Sequence, residues 1–237
     1  MMRMAMRAPG LLVTLVAIGT GAAWVGPAWA ADDVPRGETI AQQGNGQGAI
    51  ACMSCHGAEG MGNAATGFPR LAGLPAGYLS KQLHDYREGS RQSPVMQPFA
   101  KALSEDDMRA VSAYYASLEG LDLPTAYQAA DPADEAEWLA KRGDWGNVIP
   151  ACNQCHGPNG QGVGEAFPPL AGQHASYLKA QLNAWRNGSR ANDPNDLMKS
   201  VAERLSDEQI GLISDYYATL PERLSTASIA DKKEGAQ

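Results

Sequence analysis

Apolar residues recur at helical spacing in two separate parts of the chain. In each part they stand three or four positions apart, which places them on one face of a helix. The first set is Met108, Val111, Tyr115 and Leu118, and the second is Ile210, Ile213, Tyr217 and Leu220. Ser104 and Ser206 precede these sets, and each serine is followed three residues later by an acid or an amide, as in a capping box. The pattern predicts two helices that begin after these serines.

Two further helices are predicted, one from Tyr78 to about Glu88 and the other from Tyr177 to about Asn187. A Gly-Ser pair follows each of them, at 89–90 and 188–189, and glycine commonly ends a helix. We find no sustained alternation of apolar and polar residues that would indicate a sheet. The pattern predicts an all-α protein.

The helices belong to a repeat that covers most of the chain. The segment FPRLAG at 68–73 is matched by FPPLAG at 167–172, with further matches on either side at offsets of 99 to 102 residues. Such a repeat predicts two similar domains. We place them at 31–120 and 134–221, joined by a proline-containing linker at 121–133. The polar tail at 222–237 is predicted to be disordered.

Residues 1–30 have the features of a signal peptide, so we exclude them from the mature fold. Arg3 and Arg7 precede an apolar run at 11–18, and an A-x-A cleavage site follows at 28–30. Retention of this segment as a membrane anchor is the less favoured alternative. Cleavage removes two arginines and changes the formal charge from −7 to −9. That charge argues against a nucleic-acid partner and favours partners with basic docking patches. The predicted compartment is a bacterial periplasm.

The four cysteines of the chain all lie in two C-x-x-C-H motifs. The motifs are at 52–56 and 152–156, and this spacing is typical of covalent haem attachment. The residues predicted to attach the two haem c groups through thioether bonds are Cys52, Cys55, Cys152 and Cys155. A zinc site would need four ligands, and a redox disulfide of the thioredoxin type would follow a strand, so both alternatives are disfavoured. His56 and His156 are then the predicted proximal iron ligands.

The sixth iron ligand decides whether such a protein carries electrons or activates a substrate. Met96 and Met198 occupy matching places, each about 40 residues after its histidine, in proline-containing segments predicted to be loops. His84 and His174 are not reproduced in the repeat, so methionine is the favoured ligand and both histidines are predicted to be surface residues. Methionine opposite histidine raises the reduction potential and leaves no vacant axial position. This ligand set favours electron transfer and argues against an enzyme.

With these motifs, the chain resembles the dihaem cytochrome c4 family over residues 37–220. The resemblance implies two tandem class I cytochrome c domains, each wrapped around one covalently attached haem, with both haems near the domain interface. It also implies a haem environment in each half. The carbonyls of Pro69 and Pro168 would orient the proximal imidazoles, Leu71 and Leu170 would pack on the haems, and Arg91 and Arg190 would pair with propionates.

The resulting hypothesis is a periplasmic dihaem carrier of single electrons. Its donor would be a quinol-oxidising complex or a dehydrogenase, and its acceptor a terminal oxidase or reductase, with peripheral membrane association left open. An alternative is the electron-accepting subunit of an oxidoreductase complex of the sulfide or alcohol dehydrogenase type. A dihaem peroxidase is disfavoured, because both halves carry a matched methionine.

Overall fold

The structure is a computed structural model that describes residues 32–123 and 131–234, with side chains up to residue 225. The signal peptide predicted at 1–30 and the middle of the linker predicted at 121–133 lie outside the described residues. In the part of the chain that is described, the regular structure is helical, and β-bridges occur only singly. None of the described helices is both long enough and apolar enough to cross a membrane.

Five helices form the first half of the described chain and five form the second. In the first half they are α1 Asp33–Gln43, α2 Met53–His56, α3 Ala76–Glu88, α4 Met96–Ala102 and α5 Glu105–Ser117. In the second half they are α6 Glu135–Arg142, α7 Asn153–His156, α8 Ala175–Arg186, α9 Leu197–Ala202 and α10 Asp207–Glu234. In the first half α5 packs against α1 and α3, and α3 also packs against α4. In the second half α10 packs in the same way against α6 and α8, and α8 against α9.

The predicted helix starts and core faces are confirmed. The Ser104 hydroxyl accepts from the Asp107 N–H, and the Asp107 carboxylate accepts from the Ser104 N–H, so both halves of the capping box form. Ser206 and Gln209 make the same reciprocal pair before α10. The apolar faces of α5 and α10 are buried, with Met108 and Ile210 fully inaccessible. Burial of these stripes holds each long helix on its shorter neighbours.

The predicted disorder of the C-terminal tail is wrong for residues 222–234, because α10 continues to Glu234. This segment contains alanine, leucine, lysine and glutamate, which are good helix formers, and no glycine occurs before Gly235. The polarity that suggested disorder is therefore compatible with a continuing helix. Pro221 lies within this helix, fourteen positions after it begins at Asp207.

Gly37 allows α1 to approach α5 closely, and we expect Gly37→Ala to destabilise the protein. A Cβ at this position would lie 2.0 Å from the Ala110 carbonyl oxygen and 2.8 Å from the Tyr114 Cβ. Forcing the two helices apart should lower the free energy of unfolding by about 1–3 kcal/mol. Thermal denaturation of the full holoprotein, followed by circular dichroism, measures the change.

Gly211→Ala in α10 is the matched control for Gly37→Ala. A Cβ there meets no atom within 4 Å, so the higher helix propensity of alanine should stabilise the protein by about 0.5–1 kcal/mol. Equal effects of the two substitutions would contradict the role assigned to the close contact between α1 and α5.

Candidate functional site

Both C-x-x-C-H motifs form a single helical turn that carries its cysteines and histidine. The His56 N–H donates to the Cys52 carbonyl at 3.0 Å, and the His156 N–H donates to the Cys152 carbonyl at 2.9 Å. Gly57, at φ 78°, ends α2 immediately after the histidine. One turn thus presents two sulfur atoms and one imidazole from adjacent positions.

The two buried imidazoles are oriented by proline carbonyls, as the family resemblance implied. His56 Nδ1 lies 3.0 Å from the Pro69 carbonyl oxygen, and His156 Nδ1 lies 2.8 Å from that of Pro168. A carbonyl only accepts, so Nδ1 carries the proton and Nε2 keeps its lone pair. Burial lowers the pKa of both histidines, which favours the neutral form. Neutral imidazole with a free Nε2 is the form that binds iron.

A single cavity of about 800 Å³ lies between the two halves, and every residue predicted for the site lines it. Its walls include the predicted attachment and axial residues Cys52, Cys55, His56, Met96, Cys152, Cys155, His156 and Met198. The predicted haem environment is also present in the walls as Pro69, Leu71, Arg91, Pro168, Leu170 and Arg190. The two sets of residues, a hundred positions apart in sequence, therefore meet around one space.

Both methionines lie in the first turns of short helices, and the prediction that they lie in loops is wrong. Met96 begins α4, and its N–H donates to the Ser93 hydroxyl at 3.1 Å. Met198 is the second residue of α9, and its N–H donates to an Asp193 carboxylate oxygen at 2.8 Å. A polar side chain from the preceding segment thus satisfies each methionine N–H.

The alternative ligands, His84 and His174, are not among the residues that line the cavity. His84 Nε2 bonds a carboxylate oxygen of Glu105 at 2.6 Å, near the surface. His174 Nε2 lies 2.9 Å from the Met61 carbonyl oxygen, so this residue contacts the other half of the molecule. Both histidines are thus bonded to protein groups outside the cavity.

Arg91 and Arg190 are buried where the two halves meet, with 3% and 5% of their surface exposed. Arg91 Nη2 donates to the Tyr177 hydroxyl at 2.7 Å and to Gln181 Oε1 at 2.6 Å, and Arg190 Nη2 donates to Gln82 Oε1 at 3.2 Å. Their backbones form an antiparallel bridge between the halves. Within the described residues, neither guanidinium forms an ion pair with a carboxylate. Two buried cations with neutral partners suit a site that receives anionic groups.

Sequence reasoning missed the two glutamines that join these arginines. Gln181 accepts from both guanidinium groups, at 2.6 Å from Arg91 and 3.0 Å from Arg190, and Gln82 accepts from both at 2.8 and 3.2 Å. The signal that could have found them is their shared offset of 99 residues, the same as that of Tyr78 and Tyr177. A polar residue that recurs at matching positions of two repeated helices is a candidate for an interface.

The two halves differ in how a buried tyrosine supports the attachment loop. The Tyr217 hydroxyl donates to Asn153 Oδ1 at 2.7 Å, and Asn153 Nδ2 donates to the Pro158 carbonyl at 2.6 Å. The corresponding Tyr115 hydroxyl has no partner among the described residues. The second attachment loop is therefore tied to α10 by a hydrogen bond that the first half lacks.

We expect Tyr217→Phe to lower the free energy of unfolding by about 1–3 kcal/mol, because it leaves a buried amide oxygen of Asn153 unsatisfied. Tyr115→Phe is the matched control and should change stability by less than about 0.5 kcal/mol, since no hydrogen bond is lost. Guanidinium denaturation of the two holoproteins provides the comparison. A larger loss in Tyr115→Phe than in Tyr217→Phe would contradict this interpretation.

The family model for cytochrome c matches this chain twice, at residues 35–119 and 147–221. The chain belongs to the cytochrome c family. Its two matched segments each contain one C-x-x-C-H motif and one buried, carbonyl-bonded histidine. This cytochrome accordingly carries two covalently bound haem c groups. The cavity suits them, because it combines neutral imidazoles, cysteine sulfurs, mainly apolar walls and three buried arginines.

Individual relatives place this cytochrome in the dihaem cytochrome c4 group. A thiosulfate dehydrogenase electron acceptor from Stutzerimonas stutzeri (strain A1501) is 50% identical over 192 residues, which are 79% of this chain and 87% of the relative. The crystal structure of reduced cytochrome c4 from Pseudomonas stutzeri is 35% identical, with a TM-score of 0.66. The match covers 80% of this chain and 98% of that one. The fold and the dihaem arrangement predicted from the repeat are confirmed.

A thiosulfate dehydrogenase from Marichromatium purpuratum is also similar in structure, at 46% identity and a TM-score of 0.71. The match covers 78% of this chain and only 40% of that larger chain. Taken together, the relatives identify an electron-transfer protein that carries electrons and does not itself catalyse a reaction.

Proposed function

We propose that this cytochrome accepts electrons from a thiosulfate dehydrogenase and passes them to a terminal oxidase or reductase in the periplasm. The observation that carries the proposal is the 50% identity, over most of both chains, to a relative named as the electron acceptor of such an enzyme. The similarity to part of a thiosulfate dehydrogenase chain supports the same donor. The sequence suggested, as an alternative, the electron-accepting subunit of an oxidoreductase complex. The proposal now names the enzyme that would donate the electrons.

Within this function, we propose that His56 and Met96 would hold the haem iron in the first half, and His156 and Met198 that in the second. All four line the cavity, and the two histidines have free Nε2 atoms. Covalent attachment is assigned to the four cysteines of the two motifs. Pro69 and Pro168 orient the imidazoles.

The other residues predicted to surround the haems are two leucines and two arginines. We propose that Leu71 and Leu170 pack on the haems and exclude water from the irons. Arg91 and Arg190 are proposed to neutralise the propionates, since both guanidinium groups are buried beside neutral acceptors.

The role of the protein in one-electron exchange is to hold the iron-binding side chains in fixed positions. A bound haem supplies an iron that cycles between two oxidation states. The proline carbonyls fix the ring orientation of each histidine, the apolar walls exclude water, and each methionine N–H is held by a preceding side chain. Fixed ligands and a dry cavity limit the rearrangement that accompanies gain or loss of one electron.

Stopped-flow reduction tests the proposed donor. Oxidised holoprotein is mixed with a thiosulfate dehydrogenase that has been reduced by thiosulfate, and the α-band of reduced cytochrome is followed. We expect complete reduction of both haems, at a rate that depends on enzyme concentration and vanishes when thiosulfate is omitted. Reduction by a quinol-oxidising complex is measured in parallel. Faster reduction by that complex than by the dehydrogenase would contradict the proposed donor and support the more general carrier.

The periplasmic assignment rests on the signal peptide predicted at 1–30 and on the relatives. Mass spectrometry of the protein from a periplasmic extract should find the mature chain beginning at Ala31. A protein recovered with its first thirty residues intact would instead indicate retention as an anchor and a permanent membrane association.

A further inference from the structure

One buried cation is present in the first half of the molecule and has no counterpart in the second. Arg70 is 3% exposed and follows Pro69, whose carbonyl bonds His56. The repeat places Pro169 at the corresponding position, directly after Pro168. The chain therefore carries an additional positive charge next to one of its two histidine-orienting carbonyls.

The side chain of Arg70 crosses from the first half to the second. Its Nη2 donates to the Ala171 carbonyl at 3.2 Å, three residues after Pro168. Its backbone forms a reciprocal pair with Gln173, which accepts from the Arg70 N–H at 2.9 Å and donates to the Arg70 carbonyl at 2.9 Å. The bond to Ala171 places the guanidinium between the two loops that orient His56 and His156. The pair with Gln173 joins only the Arg70 backbone to the second half.

The charge of Arg70 is not neutralised by the protein. Among the described residues, its guanidinium has no carboxylate partner, and its Nε has no hydrogen-bond partner at all. Burial lowers the pKa of Arg70, but an arginine remains protonated at neutral pH. A full positive charge thus lies in the wall of the cavity, where the dielectric is low and Coulomb interactions are strong.

We propose that Arg70 raises the reduction potentials of both haems. Each centre gains one electron from the donor protein on reduction, and no bond is made or broken at Arg70. A fixed positive charge in the wall of the shared cavity lowers the energy of this added electron, because opposite charges attract. The contacts to both orienting loops make the effect common to the two centres. This role is independent of which donor protein reduces the cytochrome.

Potentiometric titration of the full-length dihaem protein tests the proposal. We expect both midpoint potentials to fall in Arg70→Gln, which removes the charge while keeping a polar side chain. Arg70→Lys, measured at pH 6 to keep the lysine protonated, should retain most of the wild-type potentials. Arg87→Gln removes a partly exposed arginine that pairs with Glu105 and does not line the cavity, so both potentials should be unchanged.

A second control separates charge from packing. Gln173→Leu removes the interdomain bonds to the Arg70 backbone and introduces the residue type of Leu74, its counterpart in the first half, while the guanidinium is retained. Both potentials should stay near their wild-type values. Circular dichroism and the haem spectrum establish that each variant is folded.

Four results would overturn the proposal: unchanged potentials in Arg70→Gln, a fall confined to one haem, an equal fall in folded Arg70→Lys, or an equal fall in folded Gln173→Leu. The first result would show that the charge of Arg70 does not affect the potentials. The second would show that it affects only one of the two haems. The last two would assign any change to interface packing.

Discussion

Replacing Cys152 and Cys155 together by serine is expected to give a protein with one covalent haem in place of two. Both sulfur atoms belong to the turn of α7 and line the cavity next to His156. Serine cannot form the thioether bond, so the second half loses its cofactor, whereas the first motif is unchanged. Haem staining after denaturing electrophoresis, with the pyridine haemochromogen assay, measures the ratio of haem to protein.

The same substitution should unfold much of the second half. The buried cluster that includes Leu139, Ile210 and Tyr217 lies beside the cavity, and a small domain depends on its cofactor to complete its core. We expect a clear loss of helical circular dichroism and a first transition at lower temperature. Cys52→Ser with Cys55→Ser is the matched variant and should leave the other haem attached. Retention of two covalent haems by either double variant would refute the attachment sites.

Replacing Met96 or Met198 by alanine is expected to lower one midpoint potential by about 0.1 V or more, since axial ligands set haem potentials over a range of about 0.8 V. Each side chain lines the cavity from the start of a short helix. Without the thioether, the iron loses the soft ligand that favours its reduced state, and one axial position opens. The reduced variant should therefore bind one equivalent of carbon monoxide, whereas the wild-type protein should bind none rapidly.

Met61→Ala is the control for both methionine variants, because Met61 is 43% exposed and does not line the cavity. Its spectrum and potentials should match those of the wild type. Unchanged potentials and no carbon monoxide binding in both Met96→Ala and Met198→Ala would refute the proposed ligand set. A change in only one of them would restrict the proposal to that half.

Local sequence patterns predicted much of the fold and the two attachment motifs that line the cavity. The helix starts at Ser104 and Ser206 depend on interactions within four residues, so they could be recognised from the sequence. The attachment motifs are equally local. The methionines were found through the repeat, which tests each candidate ligand against a second copy of the same fold.

The remaining features depend on contacts between the halves, which local patterns do not encode. Gln82 and Gln181 lie on helices predicted from their boundaries alone, and their function becomes visible only where α3 and α8 meet around the two arginines. Arg70 appeared to be an ordinary variable position in the repeated segment. Its bond to the Ala171 carbonyl joins residues 101 positions apart, and no pattern within either half predicts it.

The shared cavity also constrains how the protein matures. The attachment cysteines of both halves line one space, and the bridge between Arg91 and Arg190 joins the two halves beside it. Because bound haems would fill this space, we expect the machinery that forms the thioethers to reach the four sulfur atoms before the halves dock. Docking would then be the last step of assembly.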